Sequence, residues 1–205
     1  MVQLIFKKIY LALKTQILDE PIIGFGSGKI INFIIEQMVE EQINFNAVSS
    51  ATSTTAHLQK LKVPIIDFSE LLQIPIYINT VDACNNLNQI VSNTNGNFTQ
   101  EKLLAYNSKK FIGIKSHQNY YGDFNHSPIA VEVLPIARSF AAREIIKSQG
   151  NPVYRNGFKT ENFNIILDVY NLPIKNPVML EDLLNNISGV VDCSIFTKKP
   201  LDLII

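Results

Sequence analysis

The sequence predicts an α/β protein of two lobes: a doubly wound, Rossmann-like lobe with a mostly parallel sheet, and a smaller α+β, ferredoxin-like lobe. Three observations carry this. Short apolar runs alternate with segments of helical periodicity as far as FIGIK at 111–115, the pattern of a parallel sheet covered on both faces. A turn-rich stretch, YYGDFNHSP, then interrupts the alternation and reads as a linker or loop. Beyond it the elements run β-α-β-β-α-β, the order of a split ferredoxin-like unit. The lobes are therefore expected at 1–124 with 200–205, and at 125–199.

In the first lobe Leu4, Ile5, Ile9, Leu13 and Ile17 recur at helical spacing, so residues 2–18 predict an amphipathic helix. Pro21 to Phe25 is a short buried strand running into glycines. Ile30, Ile31, Ile34, Ile35 and Met38 then share one helical face and read as core. NAVSS at 46–50 predicts a strand and STTAHLQKL at 53–61 a helix. Apolar runs follow at Val63–Ile66 and Ile74–Ile78, then a helix at 99–107 and a strand at 111–115.

In the second lobe IAVEVL at 129–134 predicts a strand and 136–149 a helix, stopped by Gly150-Asn151-Pro152. Strands are expected at 153–155 and 163–169. Asn176 then caps a helix whose first turn holds Pro177. Gly189 ends it, and 190–196 is the last strand. Glu132 alternates with Val131 and Val133 and so points away from their face, toward an expected interface between lobes or subunits.

Composition narrows the function. The 205 residues carry 18 Lys+Arg against 18 Asp+Glu, which leaves no basic footprint for nucleic acid. The chain is 46% hydrophobic and 18% charged, which excludes a disordered chain. No apolar run reaches the ~18 residues needed to cross a bilayer, and the start lacks the compact apolar block of a signal peptide. A cytoplasmic protein without membrane contact is expected. Cys84 and Cys193 lie far apart, with neither zinc nor disulfide spacing. His57, His117 and His126 form no ligand pair on one element, so neither metal nor cofactor is expected. Arg138 and Arg143 read as packing or interface charges.

Three segments can carry chemistry. Gly24-Phe25-Gly26-Ser27-Gly28-Lys29 lies between a strand and a helix. Backbone N–H groups at a helix start bind anions, and glycine lets the backbone approach them. Ser27 adds a hydroxyl and Lys29 a charge, although neither GxxxxGK[ST] nor GxGxxG is complete. Asn79-Thr80-Val81-Asp82 follows the Ile74–Ile78 run, where ligands of open α/β sheets bind. Glu101 stands in the first turn of the 99–107 helix, for which Thr99 is the expected cap. Taken alone, each segment also fits a plain turn, a loop carboxylate or a helix-dipole acid.

Taken together, they place the chain in a pattern. Val131-Glu132-Val133-Leu134-Pro135-Ile136-Ala137-Arg138-Ser139 matches a VEV-[IL]-P-x-A-R-S stretch. AVSS at 47–50, IYIN at 76–79, TQEK at 99–102, KFIGI at 110–114, the PVYR-to-ILDV segment and PVMLEDLLNNISGVVDCSIF match in order. On these residues the chain resembles the A-type ribose-5-phosphate isomerases over nearly its whole length. The resemblance implies a metal-free aldose–ketose isomerase of the pentose phosphate pathway. Such an enzyme interconverts ribose 5-phosphate and ribulose 5-phosphate through an enediolate. It also implies a homodimer or homotetramer. The family's glutamate base falls on Glu101, and the second aspartate of its D-G-A-D motif falls on Asp82.

Several positions depart from the family. Its G-T-G-S-T phosphate turn falls on Gly26, Ser27, Gly28, Lys29 and Ile30, where the isoleucine donates nothing. The first D-G-A-D aspartate falls on Asn79. The K-G-G-G segment falls on Ser92, Asn93, Thr94 and Asn95, and a further substrate-contacting lysine falls on Asn119, with Lys115 the nearby substitute. Asparagine is the residue that best keeps a left-handed backbone where glycine is lost. Two other readings stay open at this point. One is a catalytically impaired sugar-phosphate-binding or regulatory relative, and the other an assembly subunit paired with an active isomerase.

Overall fold

The structure, a computed structural model, describes residues 2–92, 96–115, 124 and 128–205. In chain order the elements are α1 (Val2–Ile17), β1 (Ile22–Phe25), α2 (Lys29–Glu40), β2 (Asn46–Ser49), α3 (Thr52–Lys60), β3 (Ile74–Val81), β4 (Ala83–Cys84) and β5 (Ile90–Val91). There follow α4 (Phe98–Tyr106), β6 (Ser108–Lys115), β7 (Ile129–Val133), α5 (Arg138–Lys147), β8 (Asn151–Tyr154), β9 (Ile165–Tyr170), α6 (Pro177–Asn185), β10 (Val190–Cys193), β11 (Ile195–Phe196) and β12 (Leu203–Ile204). The chain divides into two compact units. The first comprises Met1–Thr80, Leu103–Lys115 and Leu201–Ile205, and the second Val81–Lys102 and Ser116–Pro200.

The first unit holds a five-stranded sheet in the order β12-β6-β3-β1-β2. Its pairings β1–β2, β1–β3 and β6–β12 are parallel. From β1 the chain first winds outward to β2, then crosses back to lay β3 on the opposite side. The β1/β3 boundary is thus the point where strand order reverses, the place where open α/β sheets bind ligands. Successive side chains on a strand face opposite sides. Ile76 and Ile78 of β3, with Ile112 and Ile114 of β6, join the isoleucines of α1 and α2 in one core. Tyr77 and Phe111, one position out of phase, stack on the other face with ring centroids 5.3 Å apart. Both faces are therefore covered, which is why these strands read as continuous apolar runs.

The second unit holds a four-stranded antiparallel sheet, β10-β7-β9-β8, and a three-stranded sheet, β11-β5-β4. Numbered within the β-α-β-β-α-β unit, the larger sheet has the order 4-1-3-2, which is ferredoxin-like. Asn176 caps α6 as expected, its side chain accepting from the backbone N–H groups of Val178 and Met179.

The structure differs from the sequence reading where pairing, not periodicity, decides. Asn79, Thr80 and Val81 belong to β3 rather than to a loop beyond it. The 190–196 run is two strands: β10 pairs with β7 and β11 with β5. Ser194 stands between them, its N–H donating to the Ala130 carbonyl at 2.8 Å. The Val63–Ile66 run makes only an isolated bridge, Ala47 to Ile65. Helix α6 ends at Asn185, ahead of Gly189, and Gln149 rather than Gly150 takes the left-handed backbone after α5 (φ 67°). The stretch 116–123 and residues 125–127, most of the expected turn-rich segment, lie outside the described residues, as do His117 and His126.

Candidate active site

In the first unit the glycine turn and Asn79 are brought together at the β1/β3 boundary. The Gly26 N–H donates to the Ile78 carbonyl at 2.8 Å, extending the β1–β3 pairing by one residue. At this spacing a Cβ on Gly26 would lie 1.8 Å from Asn79 Oδ1, so only glycine fits. Asn79 is fully buried. Its Oδ1 accepts from the N–H of Thr80 at 2.9 Å and of Ser27 at 3.4 Å. Those two donors fix the amide orientation, because the reversed amide would set N–H against N–H. The Asn79 Nδ2 then faces away from them and has no hydrogen-bond partner among the described residues.

The turn itself is tied down from the protein side. The Thr54 hydroxyl donates to the Gly26 carbonyl at 2.8 Å, and the Thr80 hydroxyl to the Ser27 carbonyl at 3.4 Å. Gly28 stands at the N-terminus of α2 with φ 114°, a backbone that favours glycine. The first N–H groups of α2 have no partner four residues earlier in the helix. Ser27 is buried, whereas Lys29 is exposed. Ile30 points into the apolar core, which explains how it stands where a donor is expected: its side chain serves the packing of α2.

In the second unit the acids are held by hydrogen bonds. Asp82 follows β3 directly, is 7% exposed, and its N–H donates to the Val91 carbonyl at 3.2 Å. Glu101 is 3% exposed, in the first turn of α4. The Ser92 hydroxyl donates to Glu101 Oε2 at 2.5 Å. Ser92, singled out as a departure from the lysine pattern, therefore contacts the candidate base directly. Asn93, Thr94, Asn95 and Asn119 lie outside the described residues. Lys115 is exposed at the end of β6.

One expectation is corrected and one is refined. Thr99 is not the cap of α4; it lies inside the helix, and its hydroxyl donates to Glu132 Oε2 at 2.5 Å. Glu132 points away from the face of Val131 and Val133, as expected, and into a buried polar cluster. It is fully buried within the second unit and also accepts from the Thr160 hydroxyl at 2.7 Å, Asn164 Nδ2 at 2.9 Å and Asn162 Nδ2 at 3.1 Å. The alternation along β7 holds, and both faces of the strand are buried. Arg138 lies over the Tyr154 ring at 5.1 Å, a packing contact. His57 Nε2 lies 3.1 Å from Glu36, and among the described residues no group of three or more His, Cys, Asp or Glu is placed to hold a metal.

Sequence reasoning missed Lys102, which is 4% exposed. Its ammonium lies 2.6 Å from Asp192 and 3.0 Å from Glu181, and over the Phe196 ring at 5.2 Å. A signal was present: Lys102 and Glu181 both fall on the apolar stripes of their helices, beside Phe98 and Ala105 and beside Leu180 and Leu184. Burial penalises the Lys102 ammonium, but the negative charge around it, carried at neutral pH by Asp192 and Glu181, outweighs that cost and raises its pKa above the ordinary lysine value. Burial pushes the Cys193 thiol up to about 12. It stays protonated at neutral pH, so the two carboxylates supply the countercharge.

An open, mostly parallel sheet with a glycine turn at its switch point defines an α/β protein of the class that binds small ligands at the strand ends. The sequence model of the ribose 5-phosphate isomerase A (phosphoriboisomerase A) family matches residues 46–205. The ribose-5-phosphate isomerase A of Legionella pneumophila strain Philadelphia 1 is 40% identical over 185 residues, covering 90% of this chain and 86% of that protein. That of Francisella tularensis subsp. novicida is 39% identical over 190 residues, covering 92% and 85%. The crystal structure of ribose 5-phosphate isomerase A from Neisseria gonorrhoeae superposes with a TM-score of 0.90 at 30% identity, over 98% of this chain and 91% of that one. The chain belongs to the ribose 5-phosphate isomerase A family.

Two predictions follow from this geometry. Gly26→Ala forces Asn79 aside and should destabilise the protein by about 1–3 kcal/mol. Adding Asn79→Gly should recover part of that loss, because the two sites are in contact; urea denaturation of the single and double variants measures it. For Lys102 the folded state holds the proton more tightly than the unfolded chain. Its stabilisation is therefore complete below the ordinary lysine pKa of about 10.4 and is lost as pH rises through the raised value. Lys102→Met should lose about 3–5 kcal/mol at neutral pH by leaving buried Glu181 and half-buried Asp192 without their countercharge. It should also lack that alkaline component in denaturation midpoints followed from pH 8 upward.

Proposed function

We propose that this protein interconverts ribose 5-phosphate and ribulose 5-phosphate, with Glu101 as the base that moves the proton between C2 and C1. The observation that carries this reading is Glu101 itself. It is a buried carboxylate that accepts from the Ser92 hydroxyl at 2.5 Å on the first turn of a helix, in a chain of the isomerase family. An acid fixed in this way pays no reorganisation when it takes a proton from carbon.

The steps balance without a metal. Once the sugar ring is open, Glu101 removes the C2 proton. The C–H electron pair forms the C1–C2 double bond, and the aldehyde oxygen becomes the enediolate oxygen. The O2 proton then passes to O1, the O2 carbonyl forms, and C1 takes its proton back from Glu101. Asp82, buried and three residues beyond Asn79 in the chain, is assigned to assist ring opening. In the first unit the backbone of Gly26, Ser27 and Gly28 with the start of α2 is assigned to the phosphate. The helix dipole and the N–H groups of the first turn favour an anion there. Lys29 is exposed beside them and adds charge.

Asn79 supports the same reading in altered form. A buried donor without a partner costs about 1–3 kcal/mol. An oxygen of the sugar phosphate would satisfy Nδ2, so the asparagine serves as a neutral donor where the family pattern has an acid. Ser92 is assigned to hold Glu101, and Asn93, Thr94, Asn95 and Asn119 to the substrate's hydroxyls. We further infer a cytoplasmic homodimer or homotetramer; exposed apolar side chains such as Ile136 (95%) and Met179 (68%) are consistent with assembly.

Glu101→Gln keeps the shape and removes the base. In a coupled assay it should lower kcat by about 10²–10⁴-fold, while calorimetry still detects ribose 5-phosphate binding. Turnover equal to the parent protein would remove Glu101 from the mechanism.

A further inference from the structure

Four consecutive residues at the start of α4 each make a polar side-chain contact within the second unit. The Thr99 hydroxyl donates to Glu132, and Gln100 Nε2 donates to Asn162 Oδ1 at 2.9 Å. Glu101 accepts from Ser92, and Lys102 donates to Asp192. Four residues span just over one helical turn, so the turn is gripped all the way round. A helix end ordinarily frays, and its first turn lacks half of its internal hydrogen bonds. Here side chains replace what the backbone cannot supply.

The anchor of this grip is unusual. Glu132 is fully buried at mid-strand in β7, and every contact found for its carboxylate is to a neutral donor: Thr99, Thr160, Asn162 and Asn164. Burying a carboxylate costs far more than burying an apolar side chain of the same size. A valine or leucine would fill the β7 position more cheaply, as Val131 and Val133 do on either side. Three of the four donors come from the segment between β8 and β9, and the fourth, Thr99, comes from α4 two residues before Glu101. Asn162 closes a second link, since it receives Gln100 and donates to Glu132. What the acid does that an apolar residue cannot is bind α4 directionally to the sheet.

We propose that Glu132, acting through Thr99, is a positioning residue that sets the orientation of Glu101 for proton transfer. This rests on the reading of Glu101 as the base. Misplacing a reacting group by about 1 Å can cost roughly 10²-fold in rate, and loss of the Thr99 contact removes one of the four contacts that fix the turn carrying Glu101. Thr99 is half-buried and Val is its isostere, so the variant Thr99→Val removes the hydroxyl with little change of volume.

The test measures kcat, KM and thermal midpoint for the parent, Thr99→Val, Thr99→Ser and Glu101→Gln, with Glu132→Gln as a second route to the same contact. Thr99→Val should lose about tenfold to a hundredfold in kcat with KM changed less than threefold, and Thr99→Ser should restore most of it. Glu132→Gln should show the same split between kcat and KM in its folded fraction. A Thr99→Val enzyme with parental kcat, or a loss that Thr99→Ser fails to rescue, overturns the proposal. So does a loss that scales only with the fraction unfolded. If Glu101→Gln keeps parental turnover, the reading of the base fails first and takes the positioning role with it. A dead Glu101→Gln beside a fully active Thr99→Val overturns the positioning role alone.

Discussion

A carboxylate taken out of water must be given hydrogen bonds or a countercharge, or it costs several kcal/mol. The second unit meets that requirement three times around one turn of helix α4. Glu132 takes a hydrogen bond from Thr99, Glu101 takes one from Ser92, and Glu181 takes the charge of Lys102. Each acid sits on a different element, β7, α4 and α6, so satisfying them ties strand and both helices into one polar frame. The remaining partners of Glu181, the N–H and hydroxyl of Thr197 at 3.0 and 2.5 Å, extend the frame past β11. An apolar core would hold these elements together as well. It would leave the azimuth of α4, and with it the direction of Glu101, less sharply set.

The first unit is governed by a different constraint, the closeness of two strand ends. Parallel strands of one sheet run about 4.8 Å apart, and at the β1/β3 boundary a side chain from one strand must lie over the backbone of the other. Gly26 gives Asn79 that space. The backbone then runs into Gly28 and the start of α2, while Thr54 and Thr80 hold the Gly26 and Ser27 carbonyls on the protein side. Departure from the family pattern is tolerated here because each replacement has a second use. Ile30 contributes to the apolar core, and Asn79 hydrogen-bonds the turn through its oxygen while keeping a donor in reserve.

Ser92 shows the same economy in the second unit. Where a cation is expected from the family pattern, a short hydroxyl contacts the candidate base Glu101 instead. A lysine stabilises a developing oxyanion by charge from a distance. A serine acts only by contact, so its effect is confined to the orientation and hydrogen bonding of Glu101. The candidate base is buried and held by that hydroxyl.

The sequence by itself determined the layered architecture. Helical spacing of the isoleucines in α1 and α2, buried runs for β1 and β3, and the β-α-β-β-α-β order are local signals, fixed by which face each residue must bury. It also made Glu101, Asp82 and the glycine turn legible, since their positions match a family pattern. Only the tertiary structure decided how they are held. Strands of two residues such as β4, β5 and β11 have no periodicity to read, and they exist because partners pair with them. Asn79 joined β3, Ser194 split the last strand, and Glu132 and Lys102 went inside because contacts distant in sequence made burial affordable. Thr99 lies 33 residues from Glu132, and Lys102 lies 90 from Asp192. A hydrogen bond between such residues depends on where the whole chain brings its ends together, which no local pattern encodes.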